Sequence, residues 1–434
     1  MDLGEPLRVL RGEVHRRRGV QAMTPGKASA FDVLIVGAGL AGLVLAERLC
    51  TQLGWRCVVV DRRGHVGGNC YDEADENGVL THRYGPHYFR TNSPAVLRYL
   101  SRFTEWTEAH YVVKSFTDGR FWSFPINLST FEELLGRRST PEEFRSWLDS
   151  RRLHIPFPKN SAEVVLAQVG RELYRKFFEG YTRKQWRKDP RELHPSVCGR
   201  LPVRITRDQR YGDEQFQVLP KDGYTAMFQR LIACCGDRLT VLLGTDYREI
   251  AHAIRVAHLV YTGPIDEYFA HCYGPLEYRS LRFERRSFHA EELEREGKSG
   301  FWQPYLQVNY PNSEEFTRIV EIKHATGQQT PHTAIVREYP ADYGEGQEPY
   351  YPVPTATNGE LYHRYAALAA RQENVTFIGR LARYRYYNMD QVVALALHTF
   401  EAKFARHHRQ MTRESGATVQ PVDTASSPLS LAVR

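Results

Sequence analysis

The sequence predicts an α/β protein: a discontinuous Rossmann-like domain around a parallel sheet, interrupted by an inserted helical domain and by an antiparallel β-sheet domain. Three observations support this fold class. A β-branched run, a glycine turn and an apolar-periodic segment follow one another over residues 32–50. Alternating aromatic-rich runs flank an Asp-Gly pair within residues 111–126, and a helix-capping pattern opens at Thr140.

The first unit consists of a strand, a turn and a helix. Residues 32–36 are apolar and β-branched, residues 37–42 read Gly-Ala-Gly-Leu-Ala-Gly, and the apolar periodicity continues to Cys50. A second buried strand over residues 57–60 ends in Asp61. A βαβ unit of this kind requires a parallel sheet with helices on its faces.

The next elements leave that sheet. Asp118-Gly119 between two alternating runs is a strong signal for a tight hairpin. Thr140, followed by Pro141 and then by Glu143, predicts a capping box at a helix start. Because residues 162–180 continue the helical pattern, residues 128–200 are expected to form a helical insertion.

The second half of the chain alternates between the two sheets. Four segments have antiparallel character and are expected to join the hairpin in one sheet: residues 276–288, 304–310, 316–324 and 333–339. Residues 257–261 and 375–378 are short apolar runs that fit the parallel sheet, and residues 391–405 predict a final helix.

Composition narrows the class of protein. The chain has 434 residues, of which 42% are hydrophobic and 25% charged, so disorder, collagen and coiled coil are excluded as the main theme. The net charge of +7 is spread among acidic neighbours, as at Arg191-Glu192, which indicates a solvated surface and no nucleic-acid partner. The alternative is that some arginines line a pocket for an anionic substrate.

The expected compartment is the cytoplasm. The longest uncharged run of the first half, residues 33–46, is too short to cross a membrane, and the first thirty residues lack the apolar core of a secretory signal. The seven cysteines show no C-x-x-C spacing and are odd in number. This argues against a disulfide framework and against a thiolate metal site, and no metal is predicted.

The glycine turn carries a dinucleotide fingerprint. In G-x-G-x-x-G the first glycine, Gly37, permits the turn, Gly39 lets the backbone approach a pyrophosphate, and Gly42 packs the helix against the strand. Asp61 lies at the spacing expected of a residue that binds the ribose. The sequence therefore predicts a bound dinucleotide, with a purely structural glycine turn as the alternative.

A second glycine pair, Gly67-Gly68, followed by Asn69, indicates which dinucleotide is bound. Two adjacent glycines let the backbone approach a second large group, which suits FAD better than a nicotinamide cofactor. An unrelated surface turn is the alternative on local evidence.

At this point the sequence resembles a known family. The segment RYGPHYFRTN at residues 83–92 is similar to the flavin-side loop of the UDP-galactopyranose mutases. The same resemblance continues in order and spacing through further segments: GYTRKQW at 180–186, LPVR at 201–204, YTGPID at 261–266, LEYRSL at 276–281, EPYYP at 348–352, GRL at 379–381 and YY at 386–387. It covers residues 31 to about 405.

The family implies a division into domains that matches the one drawn above. Five parts are expected: a flexible tail over 1–30; an FAD-binding domain from 31–110, 212–270 and 354–411; a helical substrate domain with a mobile loop over 128–211; an antiparallel sheet domain from 111–127 and 271–353; and a flexible tail over 412–434.

The resemblance also implies the reaction. A UDP-hexopyranose, UDP-galactose or UDP-N-acetylgalactosamine, is interconverted with its furanose through an adduct between the sugar and N5 of reduced FAD. The product would supply surface polysaccharide or glycoconjugate synthesis. The implied partners are the UDP-sugar, an external reductant such as NAD(P)H or a reductase, and a second copy of the chain in a homodimer, with no membrane partner.

Individual residues are carried over only where the motifs match. The cofactor-binding set is Gly37, Ala38, Gly39, Gly42, Asp61, Arg62, Gly68, Asn69, His87, Arg380, Tyr387, Asn388 and Met389. The substrate-binding set is Phe177, Tyr181, Thr182, Trp186, Arg200, Tyr211, Arg318, Tyr351, Tyr386 and Asn388. The catalytic set is Arg200, Arg318, Arg90 and His87.

Within these sets the resemblance implies that Arg200, on a closing loop, and Arg318 hold the diphosphate. Without it, surface ion pairs would explain the two arginines. Phe177 and Tyr181, four residues apart, are implied to bind uracil, where core packing is the alternative.

Two residues depart from the family pattern. Arg90 stands where a second histidine is usual, which suggests extra hydrogen-bond donors near C2 of the sugar and acceptance of UDP-N-acetylgalactosamine; the alternative is that Arg90 only replaces a packing role. Asn388 stands where an aspartate is expected and removes a charge, which would either tighten an anionic substrate or reflect surface drift. The competing functions are an FAD-dependent oxidoreductase of the same fold, a mutase for another nucleotide-linked sugar, and a catalytically silent sugar-nucleotide binding protein.

Overall fold

The computed structural model describes residues 31–344, 346–406 and 408. In chain order the strands of these residues are Val33–Val36 (β1), Cys57–Asp61 (β2), Asp72–Ala74 (β3), Leu80–His82 (β4), Phe89–Thr91 (β5), Trp106–Glu108 (β6), Val113–Thr117 (β7), Arg120–Phe124 (β8), Phe216–Pro220 (β9), Leu239–Leu243 (β10), His258–Tyr261 (β11), Tyr278–Phe288 (β12), Gln307–Asn309 (β13), Arg318–Val320 (β14), Thr333–Asp342 (β15), Tyr351–Pro352 (β16) and Val375–Phe377 (β17).

The α-helices lie between or after these strands, and five of them follow one another without an intervening strand. Those of the described residues are Leu40–Gln52 (α1), Pro94–Leu100 (α2), Leu128–Leu135 (α3), Pro141–Arg151 (α4), Ser161–Leu173 (α5), Gly180–Trp186 (α6), Ser196–Gly199 (α7), Gly223–Ala233 (α8), Tyr247–Ile250 (α9), Ile265–Tyr268 (α10), Ala290–Arg295 (α11), Lys323–Thr326 (α12), Ala356–Ala369 (α13) and Met389–Thr399 (α14). Wider π-helical turns extend α5 over Tyr174–Glu179 and α14 over Phe400–Ala405.

The parallel sheet confirms the predicted βαβ unit. Its strand order is β10-β2-β1-β11-β17, and every neighbouring pair is parallel. Strands β1 and β2 are almost wholly buried because α1 packs across one face of the sheet with a continuous apolar surface. The segments at 257–261 and 375–378 return to this sheet as expected, whereas β10 was missed.

The larger sheet confirms that the hairpin and the later strands form one layer. Its order is β16-β12-β15-β14-β13-β7-β8. Most neighbouring strand pairs are antiparallel, but β13 and β7 are parallel. The prediction of an antiparallel sheet was therefore wrong for this pair. A parallel pair is possible here because a long excursion through the helical segment separates the two strands.

The hairpin turn between β7 and β8 has the predicted geometry. Asp118 and Gly119 both have positive φ, at 53° and 73°. A two-residue turn with both central residues in this region has the twist that joins antiparallel strands, and aspartate and glycine tolerate it. The local signal in the sequence was therefore sufficient to determine the turn.

The helical insertion is present, with one correction at its capping site. The Thr140 side chain accepts a hydrogen bond from the Glu143 backbone N–H at 3.2 Å, as predicted. The reciprocal half of the capping box was wrong, since the Glu143 carboxylate accepts a bond from the Ser139 hydroxyl at 2.6 Å and pairs with Arg137. The nearby cation and hydroxyl compete successfully for the carboxylate.

One predicted strand extended too far. The segment predicted over 316–324 is a strand only at β14, and the chain then turns into α12. The buried carboxylate of Glu321 accepts the backbone N–H groups of Trp302 and Gln303, both at 2.8 Å, and the Thr333 hydroxyl. These bonds fix a turn at a position where the apolar pattern alone suggested continued strand.

A small three-stranded sheet was not predicted. Strand β9 lies between β5 and β6 and is antiparallel to both. Its strands are short and carry mixed side chains, so periodicity does not reveal them. This sheet matters for the site because it ties residues 83–92 to the segment that follows residue 211.

The predicted division into five domains stays a prediction. Residues 1–30 and 412–434, expected to be flexible tails, lie outside the described residues. In the part of the chain that the structure describes, no helix is long and apolar enough to cross a membrane.

The packing of α1 on β1 generates a prediction about stability. A Cβ atom built on Gly42 would lie 2.0 Å from the Gly37 carbonyl oxygen. We predict that Gly42→Ala pushes the helix away from the glycine turn and lowers the free energy of unfolding by about 1–3 kcal/mol. Urea unfolding followed by circular dichroism measures the change.

The matched control is Gly359→Ala, also within a helix. An added Cβ at Gly359 meets no atom within 4 Å, so this variant is expected to be neutral or more stable by about 0.5–1 kcal/mol. Equal effects of the two substitutions would contradict the proposed packing role of Gly42.

Candidate functional site

A cleft lies at the carboxyl ends of β1, β2 and β11, the edge where open parallel sheets bind ligands. Its cavity volume is about 250 Å³. We call it the glycine cleft. The predicted residues that line it are Gly37, Gly39, Asp61, Arg62, Gly68, Asn69, His87, Arg380 and Met389.

The fingerprint glycines have different structural roles. Gly37 has φ of +106°, and a Cβ there would lie 2.0 Å from the Thr262 hydroxyl oxygen. Gly39 immediately precedes α1, so it leaves the start of this thirteen-residue helix open to the cleft. A helix N-terminus without a covering side chain is suited to an anionic phosphate.

The second glycine pair packs against the first. Gly67 and Gly68 both have positive φ, and the Gly67 N–H donates to the Ala38 carbonyl at 2.8 Å. A Cβ on Gly68 would approach the Gly39 Cα to 3.0 Å. The two loops therefore meet backbone to backbone along one wall of the cleft, which excludes an unrelated surface turn.

Two carboxylates and two arginines lie at the end of the cleft next to β2. The two carboxylate oxygens of Asp61 accept the backbone N–H groups of Ala38, at 2.8 Å, and Arg63, at 2.9 Å. Glu348 pairs with Arg62 at 2.8 Å and with Arg63 at 3.0 Å. Asp61 thus fixes the glycine turn, and Glu348 joins this end to the larger sheet.

His87 lines the cleft and His82 lies behind it in hydrogen-bond contact, and the bonds of His87 fix its tautomer. The His87 Nδ1–H donates to the Gly85 carbonyl at 2.9 Å, because a carbonyl can only accept. The His87 backbone N–H donates to Nδ1 of His82 at 3.1 Å. Burial lowers the pKa of His82 to about 4, and burial together with His82 lowers the pKa of His87 to about 3. Both rings are therefore neutral at physiological pH, with Nε2 of His87 unprotonated.

A second cavity of about 80 Å³ lies between the helical insertion and the larger sheet. We call it the aromatic cavity. The predicted residues that line it are Phe177, Tyr181, Thr182, Trp186, Arg200, Tyr211, Arg318, Tyr351 and Tyr386. The structure thus brings nearly the whole predicted substrate set to one place.

Arg318 is held on the sheet side of this cavity by Glu338. Nη2 of Arg318 donates to both carboxylate oxygens of Glu338, at 2.7 Å and 2.6 Å. The two residues are cross-strand partners on β14 and β15. Burial opposes the charge of Arg318, but Glu338 raises the pKa well above its usual range. Nε of Arg318 is buried without a hydrogen-bond partner and remains available as a donor.

Tyr386 lies close to two guanidinium groups. The Arg200 and Arg380 guanidinium carbons are 4.7 Å and 4.9 Å from its ring centroid, and the Tyr351 ring stacks at 5.6 Å. Desolvation would raise the pKa of Tyr386, but Arg200 and Arg380 lower it to about 8. Arg200 lies exposed at the rim, and Tyr386 raises its pKa.

Arg380 connects the two cavities. Arg380 lines the glycine cleft, and its guanidinium group faces the rings of Tyr386 and Tyr351 in the aromatic cavity. The Tyr387 carbonyl accepts a bond from Nη2 of Arg380 at 2.6 Å and orients it. A ligand in either cavity would therefore lie next to this cation.

Five of the predicted site residues, all within the described part of the chain, line neither cavity. Ala38, Gly42 and Tyr387 act through their backbone, as described above. Asn388 immediately precedes α14 as its N-cap, and its backbone N–H donates to the Gln391 side chain at 2.9 Å. Arg90 pairs with Glu214 at 3.0 Å, with its guanidinium carbon 5.8 Å from the Tyr211 ring centroid.

Several residues in or beside the aromatic cavity were not predicted from the sequence. Gln185 lies four residues after Tyr181, so helical spacing from the predicted base pocket would have identified it. Ser115 and Asn309 reach the aromatic cavity because β7 and β13 pair in parallel, with these two residues opposite each other. Glu338 became apparent only from its register with Arg318.

Comparison with known proteins agrees with this geometry. A family model described as UDP-galactopyranose mutase matches residues 176–386, and a model described as NAD(P)-binding Rossmann-like domain matches residues 35–103. The chain is 36% identical over 374 residues to a probable UDP-galactopyranose mutase of Klebsiella pneumoniae, with 85% of this chain and 93% of that protein covered. It is 33% identical over 373 residues to the dTDP-fucopyranose mutase of Escherichia coli, with 84% and 96% covered.

Solved structures show the same fold. A crystal structure of reduced UDP-galactopyranose mutase aligns with a TM-score of 0.66 at 18% identity, covering 87% of this chain and 99% of that one. A putrescine oxidase variant aligns with a TM-score of 0.56 at 15% identity over the same shares of the two chains. The shared fold alone does not distinguish a mutase from an oxidase, but the sequence identities over most of the chain do. The chain belongs to the UDP-galactopyranose mutase family, whose members are nucleotide-sugar pyranose–furanose mutases.

Proposed function

We propose that the protein interconverts a UDP-hexopyranose and its UDP-hexofuranose with reduced FAD as cofactor. The hexose is galactose, N-acetylgalactosamine or both. The observation that carries the proposal is Arg380, which lines the glycine cleft and faces the aromatic cavity. Cofactor and sugar nucleotide would therefore meet at one cation.

The residues of the glycine cleft fit FAD. Gly37 and Gly39 leave the start of α1 free for the pyrophosphate, and a Cβ at Gly37 would collide with Thr262. Asp61 and Arg62 would hold the ribose end, while His87 and Arg380 would face the flavin ring. The chemistry that reduced FAD supplies when bound is a nucleophilic nitrogen directed at the anomeric carbon of the sugar.

The chain contributes binding and electrostatics to that chemistry. Arg318 and Arg200 are suited to stabilise the charge of the departing diphosphate, because guanidinium groups donate in a planar fork. With a pKa of about 8, Tyr386 is mostly protonated at pH 7 and can donate to the same group. Burial raises the pKa of Tyr181 to about 12, which keeps its ring neutral beside an aromatic base.

His87 has a complementary role. With Nδ1–H committed to the Gly85 carbonyl, its unprotonated Nε2 is an acceptor in the cleft. This nitrogen can accept a hydrogen bond from an N–H or O–H group of the cofactor or of the sugar. The low pKa of His87 prevents the ring from acting as a cationic acid.

The first alternative is a mutase for another nucleotide-linked sugar. It is favoured by the 33% identity to a dTDP-fucopyranose mutase. The second, an FAD-dependent oxidoreductase, rests on fold alone, and the cations Arg200 and Arg318 disfavour a cationic amine substrate. A silent binding protein is disfavoured by the intact glycine cleft.

Further parts of the proposal concern the surroundings of the enzyme. An external reductant such as NAD(P)H or a reductase keeps the flavin reduced, and the chain acts as a cytoplasmic homodimer. Its furanose product feeds surface polysaccharide or glycoconjugate synthesis. These statements rest on the family resemblance.

The central prediction concerns turnover. Dithionite-reduced protein incubated with UDP-galactose and with UDP-N-acetylgalactosamine is expected to form the furanose of at least one, detected by chromatography. Oxidised protein is the control and is expected to be inactive. Loss of the sugar with net flavin oxidation would favour an oxidoreductase. A third reaction contains a dTDP-sugar, and conversion of this sugar but of neither UDP-sugar would favour the first alternative.

The two diphosphate arginines generate a second prediction. Arg200→Ala and Arg318→Ala are each expected to lower kcat/KM more than about tenfold, or about 1.4 kcal/mol, because transition-state charge loses its counterion. Steady-state kinetics of the reduced variants measure the loss.

Arg337→Ala is the matched control. Arg337 precedes Glu338 on β15, points to the other face of the sheet and pairs with Glu284 at 2.5 Å. We expect its kcat/KM to stay within about twofold of wild type. Near-normal turnover of both diphosphate variants would remove Arg200 and Arg318 from the site.

Arg90 generates a prediction about sugar preference. Arg90→His is expected to lower the kcat/KM ratio of UDP-N-acetylgalactosamine to UDP-galactose by about three- to tenfold, because donors near C2 are lost. Competition assays with both sugars measure the ratio. Arg98→His, an exposed position on α2, should leave it unchanged. An unchanged ratio in the Arg90 variant would mean that Arg90 only packs against Tyr211.

A further inference from the structure

Four of the seven cysteines lie together, away from both cavities. Cys50 is in the last turn of α1, Cys57 is the first residue of β2, and Cys234 and Cys235 directly follow α8. None of the four lines the glycine cleft or the aromatic cavity, so the proposed reaction gives them no role. We call these four residues the thiol cluster.

The two cysteines after α8 hold their thiols beside each other. Both Sγ atoms donate to the same acceptor, the Leu231 carbonyl, at 3.0 Å from Cys234 and 3.5 Å from Cys235. The two residues differ in access, because Cys234 is exposed whereas Cys235 is only 2% exposed. This pair therefore connects the protein surface to a buried thiol.

Two further thiols continue from Cys235 into the core. The Cys50 thiol donates to the Arg238 carbonyl at 3.5 Å, and the Arg238 N–H donates to the Cys235 carbonyl at 3.3 Å. Leu239, the next residue, is the register partner of Cys57. Hydrogen bonds from the thiols of Cys235 and Cys57 lower the pKa of Cys50. The four thiols thus form a continuous row from Cys234 through Cys235 and Cys50 to Cys57.

The surroundings make Cys234 the reactive end of the row. A hydrogen bond from Cys235 lowers the pKa of Cys234, and the charges of Arg102 and Arg48 act in the same direction, although desolvation and Glu47 oppose them. An accessible thiol beside cations is the setting in which a cysteine is present as thiolate and reacts with oxidants.

Clustered thiols can either bind a metal ion or undergo oxidation. In the part of the chain that the structure describes, no group of three or more His, Cys, Asp or Glu side chains could hold a metal ion. The accessible end of the row at Cys234 and the buried thiol next to it favour oxidation, because a second thiol can displace the oxidised form of the first.

We propose that the thiol cluster is a redox site, which a hydroperoxide oxidises at Cys234 and in which the final product is a disulfide between Cys235 and Cys50. The Cys234 thiolate attacks the hydroperoxide, so an S–O bond forms, the O–O bond breaks, and the protonated leaving oxygen departs as an alcohol, or as water from hydrogen peroxide. The Cys235 thiol attacks the sulfenic sulfur and expels water.

The last step is an exchange within the row. The Cys50 thiolate attacks the sulfur of Cys235 and releases Cys234 as a thiolate. In total, the thiols of Cys50 and Cys235 lose two electrons and two protons, and the hydroperoxide takes them up to give one alcohol and one water. The product joins α1 to α8 through a buried disulfide. This inference does not depend on the proposed function.

Mass spectrometry of the full-length protein tests the inference. Protein freed of reductant is treated with hydrogen peroxide, the remaining thiols are blocked with N-ethylmaleimide, and proteolytic peptides are mapped. We expect wild type to contain the Cys50–Cys235 disulfide and dithiothreitol to reverse it. Cys235→Ser is expected to stop at a sulfenic acid on Cys234, trapped with dimedone, and to keep Cys50 as a free thiol.

The rate of disulfide formation tests the role of Cys234. Cys234→Ser is expected to form the Cys50–Cys235 disulfide at least about tenfold more slowly, because the buried thiols lose their accessible partner. The matched control is Cys272→Ser, an exposed cysteine outside the thiol cluster, which should keep the wild-type rate. Free thiols at both Cys50 and Cys235 in peroxide-treated wild type would overturn the inference, and so would an unchanged rate in Cys234→Ser.

Discussion

The buried ion pair between Arg318 and Glu338 is the constraint around which the site is built. A guanidinium in this position needs a full counter-charge, since desolvation would otherwise expel it. Glu338 provides that charge from the neighbouring strand, and it also packs against Gly85, where a Cβ would lie 2.9 Å from its carboxylate. The pair therefore joins the larger sheet to the histidine end of the glycine cleft.

That junction explains why the two cavities are adjacent. Gly85 accepts His87 Nδ1–H on one side and borders Glu338 on the other. Arg380 completes the contact, because it reaches from the glycine cleft to Tyr386. Cationic groups then surround the region where the cofactor and a diphosphate would meet. Under the proposed function, an anionic leaving group would be stabilised there by the arginines and by the Tyr386 hydroxyl, and the low pKa of His87 prevents that residue from acting as a cationic acid.

Specificity is distributed differently from catalysis. The arginines and tyrosines are proposed to bind a diphosphate, which UDP-sugars and dTDP-sugars both carry, so these residues would not distinguish the two nucleotides. Base and sugar must be distinguished at the ends of the cavity. Gln185 lines the aromatic cavity, and Arg90 pairs with Glu214, with its guanidinium carbon 5.8 Å from the Tyr211 ring centroid. Asn388 lies at the start of α14 and lines neither cavity within the described residues, so its lost charge would act at longer range.

The sequence by itself determined the local features: the βαβ unit, the Asp118-Gly119 turn, the cap at Thr140 and the roles of the fingerprint glycines. Each depends on backbone preferences or on side chains a few residues apart. Family motifs added the site residues that recur in order along the chain. Only the tertiary structure decided that β13 runs parallel to β7, that Glu338 pairs with Arg318 and that Arg90 is held by Glu214. Those contacts join residues that are far apart in the sequence. The register of the strands depends on pairing the buried charges and covering the apolar surface at the same time, and no local sequence pattern encodes this.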